Sequence, residues 1–273
     1  MNARLFSGDR EVAGIDPGNR GLAYGDGLFE TMRVHHGTLP LWPRHLARLR
    51  EGAARLGIAM TTTEVIEARI SELAAGCTAG VLKLLLARGG AARGYAPSPE
   101  APSMWMLSLH PLPARAANGL RLGWCDTRLA SQPALAGIKH CNRLEQVLAR
   151  AEVVAADRDE GLMRDMAGNA VCATSANLLA FRDGLWLTPR VEACGVAGVL
   201  RGWLLAQGLV ELATLSAEQV AAADALALCN AVRGILPVAS LDARAWPPSP
   251  ALDDLQGRLS MAYPMFAEAK VAA

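Results

Sequence analysis

A single lysine, Lys139, sits between an apolar, glycine-containing run (Leu135-Ala136-Gly137-Ile138) and the segment His140-Cys141-Asn142-Arg143-Leu144-Glu145-Gln146, which turns helical. Asn142 is expected to cap that helix, and Leu144, Val147, Leu148 and Ala151 recur with helical spacing as its apolar face. A lysine just ahead of a helix has a fixed backbone, while its four-carbon stem can still reach into a cleft. Once partly desolvated, such an amine holds its proton less tightly and can act as a carbonyl-condensing nucleophile or a proton shuttle. On these residues alone, a solvated lysine in the loop ahead of a helix is the other reading.

The elements that must position this lysine read as two mixed α/β domains: residues 1–110, a linker over 111–119, and 120–273, which carries Lys139. In the first domain, short strands flank a Ser7-Gly8-Asp9 turn, and Gly25 and Gly27 around Asp26 form a tight turn into a strand running to Arg33. Pro43 opens a helix with Leu46, Leu49, Ala53 and Leu56 on one face, and Gly57 ends it. Thr61-x-x-Glu64 looks like a capping box ahead of Ile66, Ile70 and Leu73. Apolar runs at 81–87, broken only by Lys83, and at 104–109 read as buried strands. The loop between them is rich in Gly, Ala and Pro, which on composition alone is a flexible hairpin, and it carries Arg88 and Arg93.

In the second domain, strands are expected at 120–124, 161–165 and 170–181, with a hairpin turn at Arg182-Asp183-Gly184. Gly195-Val196-Ala197-Gly198-Val199-Leu200-Arg201 enters a helix whose first amides are donors at a positive dipole end, suited to a phosphate. A strand over 225–229 stops at Asn230-Ala231-Val232, and a closing helix is expected from about 250 to 269.

Composition narrows the function classes. The 273 residues can bury a sizeable core, and the formal net charge of +1 with interspersed signs argues against a nucleic-acid or anionic-membrane partner. No apolar run approaches a membrane span, and the N-terminus MNARLFSGDREV lacks the apolar stretch of a signal peptide. Six cysteines are scattered without a Cys-x-x-Cys pair, which suits reduced thiols in the cytoplasm and leaves no tetrahedral metal set.

Several of these segments together resemble one family. LAGIKHCNRLEQ around Lys139, YGDGLFETMR from Tyr24, His45-x-x-Arg48-Leu49 and RGGAARGY from Arg88 resemble signatures of class IV (fold-type IV) pyridoxal-phosphate enzymes, and the likeness extends over most of the chain. It implies the D-amino-acid aminotransferase-like fold with the cofactor in an interdomain cleft. Lys139 would then carry pyridoxal 5'-phosphate covalently and act as base, and Thr31 would place its hydroxyl toward the substrate. Arg48 would reach the cofactor phosphate, together with the Gly198-Val199-Leu200 backbone and the Asn230-Ala231 corner. Arg93 would bind a substrate carboxylate. The His-x-Asn-Arg-Leu-Glu-Gln continuation after the lysine is that of the family's lyases. It implies elimination of pyruvate from 4-amino-4-deoxychorismate to leave 4-aminobenzoate, a step of folate biosynthesis, in a homodimer. A transaminase acting on D-amino or branched-chain amino acids, and a cofactor-free binding protein of the same fold, are the alternatives. One departure stands out: Cys172 falls where relatives usually carry the glutamate that keeps the pyridine nitrogen protonated, and a buried thiol is a poor substitute.

Overall fold

Strict alternation of buried and half-exposed residues along 28–35 gives the first unit its reference strand: Leu28, Glu30, Met32 and Val34 face inward, while Phe29, Thr31 and Arg33 face the other side. The computed structural model describes residues 2–90, 94–97, 101–114 and 118–267. These form two compact units, one of Met1–Pro113 with Ile138–Arg143, the other of Ala114–Gly137 with Leu144–Ala273.

In the first unit β1 (Asn2–Ser7), β2 (Arg10–Val12), β3 (Gly27–His35), β4 (Ala79–Ala87) and β5 (Met104–His110) form an antiparallel sheet in the order β2-β1-β5-β4-β3. Between β2 and β3 lies a one-turn helix, α1 (Arg20–Tyr24), capped by Asn19, whose Oδ1 accepts from the amides of Gly21 and Leu22. α2 (Trp42–Leu56) begins with Pro43 and ends on Gly57 at φ +63°, the left-handed conformation that glycine adopts cheaply. Its buried face carries Leu46, Leu49, Gly52 and Ala53, and a Cβ on Gly52 would press into the methyl groups of Leu28. α3 (Thr63–Ala74) buries Ile66, Ile70 and Leu73.

The short piece Ile138–Arg143 runs beside the start of β3. The Phe29 amide donates to the Lys139 carbonyl at 3.0 Å, and the Cys141 amide donates to the Gly27 carbonyl at 2.8 Å. Because these bonds are made to β3, Lys139 belongs to the first unit, whereas the sequence reading placed it in the second.

The second unit contains β6 (Leu120–Trp124), β7 (Glu160–Arg164), β8 (Ala170–Ala173), β9 (Asn177–Arg182), β10 (Leu185–Pro189), β11 (Glu211–Ala213), β12 (Ala225–Asn230), β13 (Gly234–Leu241) and β14 (Arg244–Ala245). Its helices are α4 (Leu144–Ala155), α5 (Val199–Ala206), α6 (Ala217–Ala221) and α7 (Pro250–Ala262). The strand order is β11-β10-β9-β12-β13-β6-β7-β8, and β8 pairs again with β9, so β9, β12, β13, β6, β7 and β8 close on themselves. Each of these six strands contributes to one apolar cluster, with Leu122, Leu162, Ala170, Leu178, Leu228 and Leu236 among its members. A second cluster joins Ala149 and Val153 of α4 to Cys125, Met163, Val171, Cys172, Val191 and Cys194. Among the described residues no helix is long and apolar enough to cross a membrane.

Four local expectations are corrected. α4 begins at Leu144, and the Asn142 side chain instead donates to the Gly25 carbonyl at 3.1 Å. Leu144, Val147 and Leu148 are 76%, 60% and 59% exposed, so the apolar face read for this helix points outward and Ala149 and Val153 point inward. The capping box at Thr61 does not form, because Thr61 Oγ1 donates to Asp9 and α3 is capped from Thr62 without a side-chain bond. The last helix stops at Ala262, since Pro264 disfavours helical backbone at Tyr263.

Candidate active site

Lys139 is seated over β3, with Nζ 4.2 Å from the centre of the Phe29 ring. Burial, the nearby Arg48 charge and, more weakly, Arg143 and Lys83 push its pKa from the ordinary 10.5 down to about 7, against the opposing pull of Glu30. A lysine that is partly neutral at physiological pH is a competent nucleophile and base. The adjacent His140 imidazole is driven down to about 4 by burial, then by Arg143 and Lys139, and so stays neutral.

The inward position of Glu30 explains the polar cluster beneath the lysine. Arg48 forks onto its carboxylate, with Nε to Oε1 at 2.8 Å and Nη2 to Oε2 at 2.5 Å, and His45 Nδ1 lies 2.6 Å from Oε2. Burial opposes ionisation of Glu30, but the Arg48 charge and the hydrogen bonds from His45 and Arg48 prevail and leave its pKa at about 2. Burial also depresses the proton affinity of His45, outweighing the help Glu30 gives its charged form. His45 is therefore neutral, donates from Nδ1 to Glu30, and keeps Nε2 buried without a partner among the described residues.

Thr31 is two residues beyond Phe29 on the same side of β3 and lies opposite Lys83 of β4. Lys83 Nζ sits 5.3 Å from the centre of the Phe29 ring, so two amines lie close to the same ring. Arg93 lies outside the described residues.

In the second unit the three backbone positions assigned to a phosphate stand at the start of α5. Gly198 is its cap residue, and a Cβ there would overlap Asn177 Oδ1. The buried Asn177 donates to the Val196 carbonyl at 2.9 Å, which fixes the loop ahead of the helix. Buried Arg201 anchors the helix itself, donating to the Pro189 carbonyl at 2.7 Å and to Thr188 Oγ1 at 3.2 Å. Gly137 joins this loop: its amide donates to the Gly195 carbonyl at 3.0 Å, and its carbonyl accepts from Ala197 at 2.9 Å.

The Asn230-Ala231 corner is built from its own side chain, since Asn230 Oδ1 accepts from the amides of Val232 and Arg233 at 3.1 and 2.8 Å. Nearby, buried Glu160 accepts from the hydroxyls of Thr174 and Ser175 and holds the turn between β8 and β9. Cys172 is buried in the cluster of Met163, Val171, Val191 and Cys194. Two other acids of this unit, Asp165 and Glu192, bond to Asn169 and Arg190 respectively.

Comparison with known proteins decides what this set of residues belongs to. The model of the class IV amino-transferase family matches residues 27–241, most of the chain and nearly all the residues just described. The chain belongs to that family. Its relatives include an aminodeoxychorismate lyase of Vibrio harveyi, 33% identical over 83% of this chain and 87% of that protein. Among solved structures, 4-amino-4-deoxychorismate lyase from Pseudomonas aeruginosa is 44% identical, with a TM-score of 0.87 over 94% of this chain and 98% of that one. A branched-chain amino acid aminotransferase of Escherichia coli, at 20% identity and TM-score 0.81 over 98% of this chain and 97% of its own, shares the family's fold.

Sequence reasoning missed Glu30, His45, Phe29 and Lys83. A signal for Glu30 was present: it is a carboxylate at an inward position of an alternating strand, and a buried charge requires partners.

Proposed function

We propose that the protein is a pyridoxal-phosphate-dependent lyase that converts 4-amino-4-deoxychorismate to 4-aminobenzoate and pyruvate. The observation that carries this reading is Lys139, whose amine, its pKa pushed down to about 7 by burial and Arg48, sits over Phe29, the residue two positions before Thr31 on β3. The substrate is suggested by the lyases of Vibrio harveyi and Pseudomonas aeruginosa, which match the chain over most of its length.

The residues present suit the cofactor. Lys139 offers an amine for its aldehyde. The amides at the start of α5, with Gly198 keeping side-chain atoms away, offer donors for its phosphate, and Arg48 and the Asn230-Ala231 corner are further phosphate ligands in this reading. When bound, the cofactor supplies an electron sink at the carbon bearing the substrate's amine.

Lys139 Nζ takes the proton from that ring carbon as general base. The carbon–oxygen bond to the enolpyruvyl group then breaks, and a proton delivered by Lys139 or through a water held on Thr31 completes pyruvate. The remaining ring is aromatic, so no amino acceptor is needed. The substrate carries two carboxylates, and Arg93 and Lys83 are cations suited to them. Six free thiols are compatible with a reducing cytoplasm, and a second copy of the chain would cover the outward face of α4 in a homodimer.

The decisive experiment supplies 4-amino-4-deoxychorismate to cofactor-loaded protein without any keto acid. Stoichiometric pyruvate and 4-aminobenzoate are expected. Absence of both, or a requirement for a keto-acid acceptor, would favour the transaminase reading.

A further inference from the structure

Three strands of the first sheet bring Thr31, Lys83 and Ser108 side by side. Thr31 of β3 pairs with Lys83 of β4, and Lys83 pairs with Ser108 of β5. Directly paired residues point to one face of a sheet, so the three side chains form a polar row across it. The adjacent row on that face is apolar and consists of Phe29, Leu85 and Met106, again in register. α2 occupies the opposite face, where Gly52 meets Leu28 and Arg48 meets Glu30.

Lys83 is the one charge in the apolar run of β4 and is half-buried there. A charge in such a place costs free energy unless something answers it. Among the described residues no carboxylate and no hydrogen-bonding group does so; its contact is the Phe29 ring, 5.3 Å away. Its charge instead bears on Lys139, whose hold on a proton it weakens. Two amines close to one ring therefore repel each other, and an anion held at Lys83 relieves the repulsion. The flanking groups suit an anion as well. Ser108 is buried and its Oγ lies 2.8 Å from His110 Nε2, which fixes the hydroxyl, while Thr31 supplies a second hydroxyl on the other side. One cation and two neutral donors match the charge and the several lone pairs of a carboxylate.

An apolar row beside a cationic one suits a ring with a carboxylate at its edge. Lys139 and Lys83 both stand close to Phe29, so one ring-sized ligand can meet the two amines together.

We propose that Lys83, flanked in register by the hydroxyls of Thr31 and Ser108, is a subsite for one carboxylate of the substrate, whose ring lies along Phe29, Leu85 and Met106. The inference rests on the lyase reading and adds to it a built site, with Ser108 as a member. It concerns how the substrate is held. Cofactor loading does not depend on it.

The test uses cofactor-loaded wild type, Lys83→Met, Lys83→Arg and Ser108→Ala. Lys83→Met keeps an unbranched stem and is expected to melt no earlier than wild type, because it takes a charge off an apolar strand. Its KM is expected to rise at least about tenfold, with cofactor affinity unchanged and kcat within about threefold. Each kcat is read at the variant's own pH optimum, since Lys83 also acts on the basicity of Lys139. Lys83→Arg, which restores the cation, is expected to recover most of the loss, and Ser108→Ala to raise KM by about threefold. The two products divide the substrate's carboxylates between them: 4-aminobenzoate keeps the one on the ring and pyruvate the one on the departing arm. Calorimetric titration of each product should show one of them losing at least about tenfold in affinity in Lys83→Met, and the product affected identifies which carboxylate the subsite takes. An unchanged KM, a joint fall in kcat and cofactor affinity, or unchanged affinity for both products would overturn the inference. A wild type that releases no pyruvate would instead overturn the lyase reading, and the calorimetric comparison, which needs no turnover, would still judge the subsite.

Discussion

Phe29 holds Lys139 in two ways: its amide donates to the lysine carbonyl at 3.0 Å, and its ring lies 4.2 Å beneath the lysine Nζ. The backbone bond sets the height of the side chain along β3, and the ring attracts the ammonium form. Burial and Arg48 work the other way. The amine is thus balanced between its two protonation states by identifiable neighbours, each of which can be altered.

Phe29→Leu keeps the backbone bond and removes the aromatic face. Because an aromatic ring stabilises a nearby cation by about 0.5–2 kcal/mol, the lysine pKa should fall further by up to about 1.5 units. The acid limb of the pH–rate profile should move down accordingly. An unmoved limb would mean the ring contributes only shape.

Lys139→Met probes the same balance through stability. The folded pKa of about 7 is below the ordinary 10.5, so between these values the unfolded chain binds the extra proton. Stability of the cofactor-free protein should therefore rise from pH 7 to 10.5, by at most about 5 kcal/mol given 1.36 kcal/mol per unit. Lys139→Met should remove that slope and leave the protein more stable than wild type at pH 7, while abolishing turnover. Parallel melting curves for the two proteins across this range would refute the burial of the amine.

Glu30→Gln removes the countercharge from a buried arginine. Loss of one partner of such a pair costs about 3–5 kcal/mol, visible as a lower melting temperature. Glu30 also supports the protonated form of Lys139, so the variant's pH–rate profile should shift to lower pH. A shift in the opposite direction would contradict the charge arrangement described for this cluster.

Gly198→Ala forces a methyl group onto Asn177 Oδ1 at the start of α5. Cofactor affinity should fall at least about tenfold, equivalent to 1.4 kcal/mol, with Lys139 untouched. Normal cofactor titration of this variant would remove α5 from the phosphate site.

Cys172→Glu places a carboxyl group among Met163, Val171, Val191 and Cys194. The cofactor-free variant should melt earlier, because an unpaired buried charge is costly. If residue 172 faces the pyridine nitrogen, cofactor should restore much of that loss, and transamination should rise more than elimination. No recovery on loading would place residue 172 away from the ring.

The sequence was most informative where spacing and chemistry agree. The turn at Gly25-Asp26-Gly27, the helix from Pro43 to Gly57 and the strands around Lys83 and Trp105 are all read correctly, because each is marked by a breaker or an unbroken apolar run. α4 was read inside out: it has apolar residues on both faces, so periodicity gives the helix but not which face is buried. Thr61 had the spacing of a cap, but a tertiary bond to Asp9 claimed its hydroxyl. Arg48 can be singled out from its motif, but its partner Glu30, 18 positions earlier, cannot, because no local pattern links a strand carboxylate to a later helix.

The grouping of Ile138–Arg143 with residues 1–113 bears on how the chain is made. β3 is the outermost strand of its sheet, and the bonds from Phe29 to Lys139 and from Cys141 to Gly27 cover the beginning of its open edge. During synthesis the first unit can assemble its sheet early, yet that edge stays bare until residue 143 has emerged from the ribosome. A fragment ending at Pro113 would keep it bare permanently and would tend to associate edge to edge. The two units are therefore not separable modules, and the segment that brings the reactive lysine is also what finishes the N-terminal sheet.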